Sequence, residues 1–60
     1  MKISVLLVED EKLLNESISS YLVNSGLSCD FVFTYTDAIQ KIAESIYDCI
    51  IIDINLPDGS

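Results

Sequence analysis

Three consecutive isoleucines, Ile50-Ile51-Ile52, run directly into Asp53. An unbroken run of β-branched apolar residues is what a strand covered on both faces carries. Leu56-Pro57-Asp58-Gly59 is a turn signal, so the strand stops and a loop begins. Asp53 is therefore expected to end a central parallel strand, and open α/β sheets place their ligand sites at that edge. Ile3-Ser4-Val5-Leu6-Leu7-Val8 reads as a second buried strand and also ends in acids, Glu9-Asp10-Glu11. Parallel neighbours would bring Glu9, Asp10 and Asp53 together. Like charges at close range repel, so such a cluster calls for a hard cation, and oxygen-only ligands with open positions suit Mg²⁺.

Charge narrows the function classes. Ten acids against three lysines give a net charge of −7. The chain lacks the positive charge that neutralises phosphates, which argues against direct binding to nucleic acid or to an anionic membrane. No apolar run approaches the roughly 20 residues of a membrane span, and the N-terminus does not read as a signal peptide. A cytoplasmic protein is the expectation. Sixty residues allow one small domain, which buries roughly 60% of its unfolded surface. The two cysteines, Cys29 and Cys49, are too few for a disulfide scaffold and read as small buried hydrophobes. Without histidine, zinc chemistry of the usual kind is not expected.

Periodicity sets out the elements. Strands are predicted over 2–8, 29–33 and 49–53, and helices over 11–25 and 37–45. Leu14, Ile18, Tyr21, Leu22 and Ser25 form the expected inner face of the first helix. Asp10 is its candidate N-cap, and Gly26 its left-handed closing residue. Ala38, Ile39, Ile42 and Ala43 form the inner face of the second helix, with Thr36 or Asp37 as its cap. Asp30 and Tyr35 put the second strand near an edge. Glu11 reads as solvated, Asp58 as a turn residue, and Tyr21, Tyr35 and Tyr47 as packing residues. The β-α-β-α-β order with short connections predicts an α/β fold with a parallel sheet and right-handed crossovers.

Val8-Glu9-Asp10-Glu11 after a hydrophobic strand, Tyr47-Asp48 ahead of Ile50-Ile51-Ile52-Asp53, and Leu56-Pro57-Asp58-Gly59 behind it resemble a response-regulator receiver domain of two-component signalling. The resemblance covers the whole chain, and the chain covers roughly half of the family's domain, its N-terminal half. It implies a flavodoxin-like doubly wound parallel sheet, here truncated to β-α-β-α-β with strand order 2-1-3 out of 2-1-3-4-5. Residues 1–60 would then be the N-terminal part of a single receiver domain, with the fourth and fifth strands absent.

The resemblance also implies roles. Asp53 matches the phosphoacceptor, which takes a phosphoryl group from a sensor histidine kinase. Glu9 and Asp10 match the acidic pair that holds Mg²⁺, Asp10 directly and Glu9 through water. Asn55 matches the position whose backbone carbonyl binds the metal. Pro57 and Gly59 would shape the adjoining loop. The Val-Glu-Asp-Glu form is similar to receivers attached to DNA-binding output domains. A Ser or Thr after the fourth strand and a Lys after the fifth complete the family's site, and none of Lys2, Lys12 and Lys41 stands at the matching position. With this strand order the third strand is an edge, and self-association through it is expected. Two other readings compete: a non-catalytic assembly fragment, and a Mg²⁺-dependent phosphotransferase or hydrolase with an aspartyl-phosphate intermediate. The second is weakened because Asn55 stands where such enzymes often place a second acid.

Overall fold

The computed structural model describes residues 2–52. The order is β1 (Ser4–Val8), α1 (Lys12–Asn24), β2 (Ser28–Val32), α2 (Tyr35–Glu44) and β3 (Cys49–Ile52). The strands form one sheet in the order β2-β1-β3, and both pairings are parallel. This is the 2-1-3 arrangement that the resemblance implies for a flavodoxin-like sheet. Ser4 pairs with Ser28 and Val8 with Val32 on one side of β1. Val5 pairs with Cys49 and Val8 with Ile52 on the other.

Strand alternation divides the core between two faces. Leu6 and Val8 pack with Val32 and with Ala38 of α2, and Tyr47 closes this cluster from the side. Val5 and Leu7 are buried and point to the other face, where α1 lies along β2 beside Cys29 and Phe31. Each helix packs on β1 and β2, and neither packs on β3 among the described residues. All four residues of β3 are consequently exposed.

The helix ends follow from local chemistry. At the end of α1, Gly26 adopts φ +92°, a region that costs a side-chain-bearing residue strain. The Gly26 N–H donates to Val23 O and the Leu27 N–H to Leu22 O, which is the paired bonding of a Schellman close. The start of α2 corrects the expected cap. Thr34, not Thr36 or Asp37, is the N-cap, and its hydroxyl accepts the Asp37 N–H at 3.1 Å. Thr34 is extended at φ −135° and ψ 158°, so the helix starts earlier than periodicity suggested, and Asp37 is left in the first turn to complement the macrodipole.

The inner face of α1 also differs from the expected one. Tyr21 and Leu14 are exposed, whereas Asn15 is completely buried. The buried stripe runs through Asn15, Ile18 and Leu22, because the Asn15 amide meets backbone carbonyls at the strand ends that Leu14 has no donor for. On α2, Ala38 is buried while Ile39 and Ile42 are about half exposed, since no layer covers the β3 side of that helix among the described residues. Cys49, on the strand that neither helix covers among the described residues, is exposed rather than buried, and Cys29 is only partly covered.

Beneath the sheet, Asp48 clamps β1. Its N–H donates to Ser4 O at 2.8 Å, and its Oδ2 accepts the Ser4 N–H at 2.8 Å. This reciprocal pair fixes the entry of β3 against β1, which sets the register at the opposite, acid-bearing edge.

Candidate functional site

β1 delivers Glu9 and Asp10 to the C-terminal edge of the sheet. The Glu9 N–H donates to Val32 O at 3.1 Å, extending the β1–β2 ladder one residue beyond β1. Its side chain folds back, and Oε2 accepts the Glu11 N–H at 3.0 Å. Glu9 is 3% exposed, whereas Asp10 is exposed to solvent. Asp10 is therefore not the N-cap that the sequence pointed to. Glu11 holds that position, and the Glu9 carboxylate satisfies one of the donors that a helix start leaves over.

Sequence reasoning missed Asn15. Its Nδ2 donates to Glu9 O at 3.0 Å and to Val32 O at 3.1 Å, tying the acidic turn to the end of β2. Val32 O thus accepts from both Glu9 N and Asn15 Nδ2, using both of its lone pairs. Asn15 Oδ1 is buried with no hydrogen-bond partner among the described residues, at a cost of about 1–3 kcal/mol. The available signal was an amide on the same helical stripe as Ile18 and Leu22, a polar residue at an inward position.

On the other flank of β1, Val8 pairs with Ile52, the residue that precedes Asp53 in the chain. Asp53, Asn55, Pro57, Asp58 and Gly59 lie outside the described residues. In kind, Glu9 and Asp10 fit a hard cation, since both offer only carboxylate oxygens. In number they do not complete a site: no group of three or more His, Cys, Asp or Glu is placed to hold a metal among the described residues.

A cavity of about 250 Å³ between α1 and β2 is lined by Ser19, Ser20, Cys29 and Phe31, among others, and by neither acid. Carboxylate chemistry, not concavity, therefore marks the sheet edge as the candidate site. Burial, and next the Asp30 charge, push the Cys29 thiol above its ordinary pKa, which disfavours the nucleophilic thiolate there. No helix of the described residues is long and apolar enough to cross a membrane.

Comparison with known proteins bears on the same residues. The family model of the response regulator receiver domain matches residues 5–60. The transcriptional regulatory protein DltR of Streptococcus agalactiae serotype III (strain NEM316) is 39% identical over 56 residues, covering 93% of this chain and 25% of that protein. The transcriptional regulatory protein PmrA of Pectobacterium parmentieri is 39% identical over 54 residues, covering 90% of this chain and 24% of that protein. CutR, a transcriptional regulatory protein of Streptomyces coelicolor (strain ATCC BAA-471 / A3(2) / M145), is 34% identical over 53 residues, covering 88% of this chain and 24% of that protein. The chain spans about a quarter of the length of these curated relatives. No solved structure gives a significant match. A β2-β1-β3 parallel sheet with an acidic pair after β1, and a family match over nearly the whole chain, lead to one conclusion: this chain belongs to the response regulator receiver domain family.

Proposed function

We propose that the chain is the N-terminal part of a single receiver domain, and that Asp53 accepts a phosphoryl group from a sensor histidine kinase at a Mg²⁺ site built from Glu9, Asp10, Asp53 and the Asn55 carbonyl. The observation that carries this reading is the pairing of Val8 with Ile52. The residues that follow these two in the chain are Glu9 and Asp53.

In the transfer, a carboxylate oxygen of Asp53 attacks the phosphorus of a phosphohistidine. The P–O bond forms as the P–N bond breaks, and the imidazole leaves with that electron pair. Mg²⁺, when bound, offsets charge on the phosphoryl oxygens. Asp10, open to solvent, is the direct ligand. Glu9, buried with Oε2 already accepting the Glu11 N–H, acts through water. The module is regulatory rather than an enzyme turning over a substrate, and it works in the cytoplasm. The names of its relatives favour a transcription-regulating output domain in the whole protein.

The test is incubation with Mg²⁺ and a small acyl-phosphate donor, followed by intact mass. A gain of one phosphoryl group that Asp53→Asn abolishes supports the reading. No gain in a chain shown to be folded removes it for this polypeptide.

A second reading rests on β3, whose Ile50, Ile51 and Ile52 are 38–50% exposed on an edge that is unpaired among the described residues. Open strand edges recruit further strands, so by itself the chain associates with copies of itself through β3.

A further inference from the structure

We infer that Asn15 is the positioning residue of the acidic turn: its carboxamide fixes the Glu9 backbone so that the Glu9 carboxylate turns inward and Asp10 stands exposed at the sheet edge. The inference rests on the proposed Mg²⁺ site and goes beyond it by naming what holds that site in shape.

At least three bonds converge on Glu9. Its N–H reaches Val32 O at 3.1 Å, its carbonyl accepts Asn15 Nδ2 at 3.0 Å, and its Oε2 accepts the Glu11 N–H at 3.0 Å. The second Asn15 bond, to Val32 O at 3.1 Å, anchors the brace on β2. The Asn15 N–H in turn reaches Glu11 O at 2.8 Å. Residues 9, 11 and 15 therefore close a ring between the strand end and the helix start. Packing alone does not account for Asn15. It is fully buried and leaves Oδ1 without a partner among the described residues. A leucine would fill similar space with no orphaned oxygen. What the amide alone supplies is a pair of donors aimed at two carbonyls on adjacent strands. Buried polar groups that are only partly satisfied call for such a specific account.

The experiment titrates Mg²⁺ alone into the wild-type chain, Asn15→Leu and Asn15→Ala by calorimetry. Amide hydrogen exchange is measured on the same samples, with Asp10→Asn marking the site. The expected result is cooperative unfolding in at least one Asn15 variant, Mg²⁺ affinity lower by about tenfold or more, and faster exchange at the Glu9 and Glu11 amides than elsewhere in the sheet. Wild-type affinity in a folded variant overturns the inference. So does loss of cooperative folding in both variants, which makes Asn15 a brace of the fold only. Should the wild-type chain bind no Mg²⁺, the metal reading falls and exchange decides the inference alone. Selective loss of protection at Glu9 and Glu11 upholds it, and unchanged protection overturns it.

Discussion

The phenol of Tyr47 donates a 2.7 Å hydrogen bond to Oδ2 of Asp30, joining the lead-in to β3 with the far edge strand β2. Asp30 is opposite Leu6 on the central strand, so the bond passes over β1 and closes the cluster of Leu6, Val8, Val32 and Ala38. It links the two outer strands, which share no ladder of their own.

Tyr47→Phe removes this link and keeps the ring. The bond is exposed, so the loss is about 0.5–1 kcal/mol, or several degrees in melting temperature for a domain of this size. The bond to Asp30, then desolvation, raise the Tyr47 pKa above the ordinary 10.0. The neutral phenol is thus favoured in the folded state. Its contribution is complete below the unfolded phenol pKa and is lost as pH rises through the raised folded value. The stability difference between wild type and Tyr47→Phe should therefore shrink as pH rises above about 10. A difference that grows there would contradict the bond.

Cys29 and Cys49 both pair with Val5, one on each side. They lie two strand spacings apart, about 9.6 Å, beyond the roughly 7 Å a disulfide can bridge. Mild oxidation should give no disulfide within one chain. Cys49 is exposed and Cys29 only partly so, and the Cys29 thiol has its pKa raised by burial and by Asp30. Alkylation followed by peptide mass spectrometry should label Cys49 first. An intrachain disulfide in a folded sample would contradict the strand order.

Thr34→Ala should cost about 0.5–2 kcal/mol, since it removes the hydroxyl that accepts the Asp37 N–H. The sequence-based candidate cap, Thr36, stands inside α2, so Thr36→Ala leaves the bond from the Asp37 N–H to the Thr34 hydroxyl in place and should cost less than Thr34→Ala. Urea midpoints of the two variants decide between the caps. Equal losses would remove the assignment.

The open edge of β3 predicts association that rises with protein concentration. Ile51→Lys places a charge on that edge, a substitution that blocks strand pairing. Sedimentation velocity should show larger species for wild type and a monomer for the variant. A wild-type monomer at high concentration with native circular dichroism would defeat the edge-pairing reading.

The element order was legible because its signals are local. The apolar runs at 3–8 and 50–52, Gly26 after the first helix and the helical repeat around Ala38 each depend on neighbours in the chain. The parallel 2-1-3 order followed from β-α-β-α-β alternation together with the family resemblance. The acidic pair was legible for the same reason, since Glu9 and Asp10 directly follow a strand. Asp53 and Asn55, which lie outside the described residues, stand on sequence and resemblance.

Tertiary structure decided what residues distant in the chain do to one another. Whether α1 buries Leu14 or Asn15 depends on which carbonyls the ends of β1 and β2 present, and periodicity does not contain that. The inward turn of Glu9 needs the Asn15 brace, and the exposure of Cys49 and the three isoleucines needs the position of β3 at an edge. A hydrophobic run states that a strand can be covered, but only packing determines what covers it. Local residue order specifies the elements and the chemistry at their ends; long-range hydrogen bonds and burial select which of those groups are held inward and which face solvent.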